Sequence, residues 1–267
     1  MYSNCYSFMV AKRSGASPTK ATASRRRRKL LPEDHLQRAM AAKSPRGRSF
    51  WARRGLAHEE ALHPTTQAML LRQLYLAHFA SKRFERAYEL AVQAAELGVL
   101  PDVIHQDAAR AKHALDEVED AAGHLRLAVR LAPAGRRAFH WWTLGSLLFV
   151  SSRYDEAADA LARAARWGTT DKPLYRAHLA LAKCHAGKRV QALPRLIEEL
   201  ESRPCAQGYG RFILGHLAHQ AGRPDDARRY LKMFVERTSA ARTAKRIALA
   251  AELRMARDTL RSLRQAS

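Results

Sequence analysis

Residues 141–167, WWTLGSLLFVSSRYDEAADALARAARW, predict two short helices folded back on each other. In each half, small and apolar residues recur at three- and four-residue steps, which places them on one face of a helix. The first half contributes Trp141, Leu144, Gly145 and Leu148, and the second half contributes Ala157, Leu161 and Ala164. Because Gly145 and Ala157 carry no bulky side chain, we expect the two helix backbones to approach closely there. A larger side chain at Gly145 should overpack the pair, at a cost of about 1–3 kcal/mol or more.

The same arrangement recurs along the chain at intervals of 34 to 36 residues, counted from the alanine that opens each predicted second helix. These alanines are Ala52, Ala87, Ala121, Ala157, Ala192 and Ala227. Four residues later stand Leu56, Ala91, Leu125, Leu161, Leu196 and Leu231, and twelve residues earlier stand Met40, Tyr75, Ala109, Gly145, Ala180 and Gly215. Prolines at 64, 133 and 204 end second helices, because proline disfavours a helical residue before it. Gly47, Gly187 and Gly222 are predicted in the turns between paired helices.

Two units depart from this pattern. The first, residues 33–66, has a charged and weakly periodic first helix, which predicts a frayed cap. The second, residues 68–101, carries Tyr75 where a small residue is expected. We expect Tyr75 to open that helix pair or to shift its register by a residue or two.

The Trp-x-x-Leu-Gly start at Trp141, the entry of the second helix at residues 154–157 and the later Ala164 together resemble the tetratricopeptide repeat (TPR) family. The resemblance implies an all-α fold, a right-handed superhelical solenoid of helix-turn-helix repeats. About six repeats, the first degenerate, would occupy residues 32–239. Residues 240–267 would hold an amphipathic capping helix and a tail, because the end of a repeat stack must cover its apolar face.

The resemblance also implies a concave groove, lined by the first helix of each unit, that holds a partner peptide or protein. The groove residues carried over in this way are Arg72, Phe79, Arg110, His113, Phe139, Trp142, Ser146, Phe149, His178, His185, Tyr209, Phe212 and His216. We expect Trp142 and Phe149 to form an apolar anchor pocket, with Arg72 and Arg110 holding an acidic part of the ligand. Recurring histidines would allow a mildly pH-sensitive affinity. Where family members clamp a C-terminal carboxylate, only Arg72 matches, so that ligand is not expected.

Charge is the unusual bulk property of this chain, with a net charge of +22 from 47 Lys and Arg against 25 Asp and Glu. Residues 1–31 lack apolar periodicity and are expected to form a disordered basic tail; Met9 would serve equally as a first residue. The tail holds a basic run, Arg25, Arg26, Arg27, Arg28 and Lys29. Three interpretations stay open for the run: a solvated tail, contact with nucleic acid or another polyanion, and a targeting sequence.

Residue patterns that would indicate chemistry are incomplete. His58 and His63 are five residues apart, whereas one helical face offers metal ligands at a spacing of four. Cys184 and His185 are adjacent and so point to different sides of a helix, and His216 with His219 lacks further ligands. We therefore expect no enzyme activity, no metal and no cofactor.

The predicted function is a non-catalytic adaptor or scaffold for a protein or peptide partner of acidic character. The alternative is a nucleic-acid-associated repeat protein that uses the basic run and outward arginines such as Arg228 and Arg229. The sequence has no apolar run long enough to span a membrane. Three cysteines without a pairing pattern fit a reducing compartment, so a cytoplasmic location is expected.

Overall fold

The computed structural model describes residues 30–58 and 62–265. Over these residues the chain forms fourteen α-helices, one short 3₁₀ helix and no strand. The helices are α1 (Pro32–Ala41), α2 (Pro45–Leu56), α3 (Pro64–Ala80), α4 (Phe84–Ala95), α5 (Pro101–Ala114), α6 (Val118–Leu131), α7 (Ala134–Val150), α8 (Tyr154–Trp167), α9 (Lys172–His185), α10 (Leu193–Glu201), α11 (Tyr209–Gln220), α12 (Pro224–Ser239), α13 (Thr243–Ala248) and α14 (Ala250–Gln265). The 3₁₀ helix, Pro204–Ala206, precedes α11.

Consecutive helices pack as hairpins, α1 with α2 through α11 with α12, and each hairpin packs on the next. Successive first helices also meet each other, as α1 meets α3, α3 meets α5 and α9 meets α11. The first helices therefore lie on the inner side of the stack. The predicted all-α solenoid of paired helices is confirmed. None of the helices in this described part is long and apolar enough to cross a bilayer.

The close approach predicted at Gly145 is present. A Cβ atom built on Gly145 would lie 2.6 Å from Cγ of Leu161 and 3.3 Å from the carbonyl oxygen of Ala157. The second unit reverses this arrangement, with the large Tyr75 on the first helix and the small Ala91 on the second. Both residues are almost fully buried in the same cluster. Tyr75 thus fits without opening the pair, because the volume lost at Ala91 compensates for the volume gained at Tyr75.

One backbone position recurs in the turn between paired helices. Five residues before the anchor alanine, the backbone is left-handed in five units, with φ between 60° and 73°. The five residues are Lys82, Asp116, Ser152, Gly187 and Gly222. A left-handed residue ends many helices, and glycine adopts this conformation without the clash that a Cβ atom causes. Gly47 is the exception to the prediction, because it lies inside α2 rather than in a turn.

The predicted register of the fifth unit is wrong at Ala192, which lies before the second helix and not inside it. Seven residues, 186–192, join α9 to α10, whereas three residues join the helices of most other units. Ala192 is exposed and left-handed (φ 61°) and only precedes α10, so it does not pack against Ala180 as an anchor would. Pro194 in the first turn favours a helix start here, because proline lacks the amide hydrogen that a first turn leaves unused. Ile197 and Leu200 fill the buried positions instead.

The C-terminal segment forms two helices rather than one. The break falls at Leu249, between α13 and α14. α14 packs on α12 and α11, as a cap would, but α13 reaches back to α3 and α5. Ala244 and Ile247 of α13 pack against the apolar cluster of the N-terminal units. The segment therefore lies against the inner side of the stack as well as over its end.

Candidate functional site

Most of the aromatic residues predicted to line the groove are core residues. The buried members of the predicted set are Phe79, Trp142, Ser146, Phe149, His178, Tyr209, Phe212 and His216. Phe149 shows the reason, because its ring on α7 lies 5.1 Å from the ring of His178 on α9 and 6.4 Å from that of Phe212 on α11. First helices touch along the inner side, so the residues that face a neighbouring helix are covered by it. The prediction of an apolar anchor pocket at Trp142 and Phe149 is therefore wrong, because both side chains are buried in the core.

The buried histidines of this core are neutral. Burial, together with neighbouring histidines, lowers the pKa of His178 and of His216 to about 3. Burial also lowers the pKa of His185. Neutral rings in an aromatic interior serve packing, so these residues do not support the expected pH-sensitive affinity near neutral pH.

The two arginines predicted to hold an acidic ligand already share an internal carboxylate. Asp107 on α5 is buried and accepts a hydrogen bond of 2.5 Å from Nε of Arg72 on α3. It also accepts one of 3.1 Å from Arg110, whose side chain is 28% exposed. Burial lowers the pKa of Arg48, and the nearby charges of Arg242 and Arg72 lower it further.

A second buried carboxylate joins α5 to α7. Both oxygens of Asp102 accept hydrogen bonds of 2.8 Å from Arg136, and one also lies 2.9 Å from Nε2 of His140. Burial alone would raise the pKa of Asp102, but the hydrogen bonds from His140 and Arg136 lower it to about 2. Asp102 and Asp107 therefore connect three successive first helices through charge-assisted hydrogen bonds.

Some predicted groove residues remain partly exposed on the inner side. They are Arg72, Arg110, His113, Phe139 and His185. Arg254 of α14 contributes to lowering the pKa of His113, after burial, so α14 approaches the end of α5. The C-terminal segment thus borders the part of the inner surface that remains open.

The segment also buries a carboxyl group. Glu252 on α14 is 5% exposed, and its Oε2 has no hydrogen-bond partner in the described structure. Burial raises the pKa of Glu252 to about 7, although hydrogen bonding, including that from Tyr209, opposes the change. A carboxyl group in such a site ionises at a cost in free energy.

The geometry offers little for catalysis. Burial raises the pKa of the thiols of Cys184 and Cys205, which is opposite to the activation that a nucleophilic cysteine needs. Among the described residues, no three His, Cys, Asp or Glu side chains converge as metal ligands would. The outward Arg228 and Arg229 pair with carboxylates of the protein itself, at 2.8 Å from Asp225 and 3.0 Å from Asp226. They are therefore less available to phosphates than predicted.

A cleft between α2 and α3 was not predicted. It has a volume of about 470 Å³ and is lined by Pro45, Arg46, Ser49, Phe50, Arg53, Ala77, His78, Ser81 and Arg83. Among the residues that the structure describes, three arginines line this cleft and no carboxylate does. A sequence signal for it exists, because residues 46, 49, 50 and 53 follow the i, i+3, i+4, i+7 period of one helical face. The interpretation of the first unit as a frayed cap obscured that signal. The basic run 25–29 lies outside the described residues.

Comparisons with known proteins place this geometry among repeat folds. No family model and no curated protein matches the sequence. The structure is similar to that of the apo form of RapI, with a TM-score of 0.56 and 15% identity over 81% of this chain and 83% of that chain. An alignment with the P58(IPK) TPR domain covers 88% of this chain and 78% of that chain at 11% identity, but its TM-score of 0.30 is too low to argue from. Together, the recurring helix pairs, their period and the likeness to RapI give this chain a tetratricopeptide-repeat-like fold.

Proposed function

We propose that this protein is a non-catalytic scaffold or adaptor that holds a partner protein or peptide on its inner surface. The observation that supports this proposal is the linkage of α3, α5 and α7 by ion pairs that cross from one unit to the next. Ion pairs of this kind hold the first helices side by side before any partner arrives. A surface organised in advance loses less conformational freedom on binding than a flexible one does.

The charge of the inner surface supports an acidic partner. Arg72 and Arg110 both contact Asp107, and Arg48 and Arg242 lie close to Arg72, so four arginines gather on this side of the stack. The partly exposed ring of Phe139 lies on α7 in the same row of first helices and offers an apolar contact. In this proposal Arg110 attracts an acidic group of the partner and Phe139 packs against its apolar part.

Site-specific photo-crosslinking tests the scaffold proposal. A photoreactive phenylalanine analogue at position 139 should yield a discrete set of protein adducts in cells, and Arg110→Glu should abolish them. Arg130, which is exposed on the second helix α6, gives the matched control. The Arg130→Glu change should leave the adducts in place, and the analogue at position 130 should not yield them. Identical adducts from both positions, or adducts that survive Arg110→Glu, would reject the inner surface as the binding site.

A second candidate function is nucleic-acid association through the basic run 25–29. It is supported by the high positive charge of α2, which carries Arg46, Arg48, Arg53 and Arg54 and no acidic residue. Binding of this kind should weaken steeply as salt rises, because each neutralised phosphate releases counterions. Replacing Arg25, Arg26, Arg27 and Arg28 by Gln should flatten that salt dependence. An unchanged salt dependence would exclude the run as a contact.

We also propose a cytoplasmic location and no cofactor. The unpaired thiols of Cys184 and Cys205 support a reducing compartment. Fractionation of the tagged full chain, together with metal and absorbance measurements on the purified protein, tests both statements.

A further inference from the structure

The cleft between α2 and α3 gathers positive charge without neutralising it. Arg46 and Arg53 come from α2, and Arg83 follows α3. None of the three forms an ion pair within the described residues, whereas Arg72, Arg136 and many other arginines of this chain do. Among the described residues, Glu89 acts on His78 from outside the cleft, and it pairs with Arg86 at 2.5 Å. Converging cations without carboxylates favour an anionic ligand.

His78 forms part of the wall of the cleft. Its side chain lines the cleft and is 8% exposed, and its Nδ1 atom has no hydrogen-bond partner in the part of the chain that the structure describes. Burial, and then Arg83 and Arg53, lower the pKa of His78, so the ring is neutral and can donate one hydrogen bond.

The aromatic side of the cleft decides which kind of phosphate compound fits. Phe50 is 50% exposed and lines the cleft, with the guanidinium of Arg54 5.3 Å from its ring. The next residue, Trp51, has Arg38 4.7 Å from its ring. Sites for single-stranded nucleic acid combine a basic surface for phosphates with aromatic rings on which bases stack. A phosphopeptide site would need the arginines but not the exposed ring.

We propose that this cleft binds one nucleotide unit of single-stranded nucleic acid. Arg46, Arg53 and Arg83 contact the phosphates, and a base stacks on Phe50. Ser49, Ser81 and His78 supply hydrogen bonds within the cleft. The site lies between the outer helix α2 and the end of α3, so it does not depend on the inner surface assigned to a protein partner.

Fluorescence anisotropy of a labelled twelve-nucleotide oligo-dT, titrated with the full chain at several salt concentrations, tests the proposal. Phe50→Ala should weaken binding roughly tenfold, which corresponds to one stacked base. The triple change Arg46→Gln, Arg53→Gln and Arg83→Gln should lower the slope of log affinity against log salt by about 2, since each phosphate contact with a single strand contributes ~0.7.

Matched controls come from α6 and α8. Trp167 is 58% exposed, with Arg166 5.6 Å from its ring, so Trp167→Ala removes an equivalent surface aromatic. A triple change of Arg130, Arg163 and Arg166 to Gln removes the same net charge elsewhere. Both controls should bind almost as the unchanged chain does. Equal losses from cleft and control variants would overturn the proposal, because they would show binding by net charge alone.

Two further measurements separate binding in the cleft from binding by the basic run and from recognition of a phosphoprotein. With the basic run changed to Gln, Phe50→Ala should still weaken binding, and loss of its effect would overturn the cleft as a site in its own right.

Unlabelled oligo-dT should compete better than a phosphoserine peptide of similar charge. Stronger competition by the peptide would assign the cleft to a phosphoprotein and reject the nucleotide. Circular dichroism of each variant verifies that the helices are retained.

Discussion

Gly145 and Leu161 lie so close that a Cβ atom on the glycine would stand 2.6 Å from Cγ of the leucine. The last repeat shows the same relationship, with 2.5 Å between a Cβ on Gly215 and Cγ of Leu231. Real Cβ atoms do not approach other carbon atoms so closely. Each contact is therefore a point where one helix backbone rests on the side chain of its partner, and it sets the distance between the two helices.

Gly145→Ala should consequently destabilise the protein by about 1–3 kcal/mol, because Leu161 or the backbone must move. Gly123→Ala is the matched control, since Gly123 also lies inside a helix and a Cβ there would meet nothing within 4 Å. That change should stabilise by roughly 0.5–1 kcal/mol, because alanine favours the helix. Urea unfolding followed by circular dichroism measures both. Equal effects at the two sites would contradict the close packing.

The recurring left-handed turn position makes a second prediction. Ser152 adopts a φ of 62° there, and Gly222 adopts 69°. Ser152→Gly should stabilise the fold by about 1 kcal/mol, because the strain of a left-handed Cβ is removed. Gly222→Ala should cost a similar amount. The comparison of unfolding midpoints checks the pair, and shifts of the same sign would disprove the shared turn geometry.

The buried carboxylate Asp102 predicts a loss of stability in acid. Its pKa in the folded state, about 2, lies below the ordinary value for aspartate, so ionisation stabilises the folded chain. This contribution, about 2 kcal/mol, is complete above pH ~4 and is lost as the pH falls from ~4 to ~2.

Asp102→Asn tests that contribution. The variant should be less stable than the unchanged chain at pH 7. The difference should shrink below pH ~4, because the Asp102 carboxyl of the unfolded chain then becomes protonated and the advantage of ionisation in the folded chain is lost. Asp258, which is exposed on α14, gives a control at which Asn should cost little. A difference that stays constant down to pH ~2 would rule out ionisation of Asp102 as the cause.

Glu252 predicts a dependence of the opposite sign. Its pKa in the folded state, about 7, lies above the ordinary value near 4, so the folded chain holds the proton that the unfolded chain releases. Stability is unaffected below pH ~4, falls by about 3 kcal/mol as the pH rises from ~4 to ~7, and is constant above that.

Glu252→Gln removes this ionisation and should make the protein more stable at pH 8 while having little effect at pH 4. The exposed Glu236→Gln on α12 is the control and should change neither value. Thermal unfolding at the two pH values measures the effect. A variant that is less stable at pH 8 would mean that the ionised carboxylate is paired.

The fold was predictable because its period rests on small residues. Close contact between paired helices requires small residues at Gly145, Ala157 and their counterparts. This requirement produces a periodic pattern of small residues in the sequence. The register failed at Ala192, where a longer connection and Pro194 shift the helix start while the 35-residue spacing stays unchanged. Spacing alone cannot distinguish an alanine in a loop from one in a helix.

The candidate site was less predictable. Phe149 and Trp142 were assigned to a groove from their position on first helices, but that position faces the neighbouring unit as well as the inner surface. Arg72 was predicted to bind a ligand because its actual partner, Asp107, lies 35 residues away in the sequence and the pairing could not be seen there. The cleft beside Phe50 is lined by residues from two helices, and only those on α2 form a helical periodicity that the sequence shows. Long-range partners of this kind emerge only from the packed structure.

α13 packs against α3, and the following helix α14 packs against α12. The C-terminal segment therefore connects the first third of the stack to the last. In an open array each repeat meets only its neighbours, so melting can start at an end and spread one hairpin at a time. Here the C-terminal hairpin cannot separate from the third and fifth helices without also breaking the contacts of Ala244 and Ile247 across the stack. We therefore expect one sharp cooperative transition in place of the stepwise fraying of a linear array, and a chain that resists the gain or loss of a single hairpin.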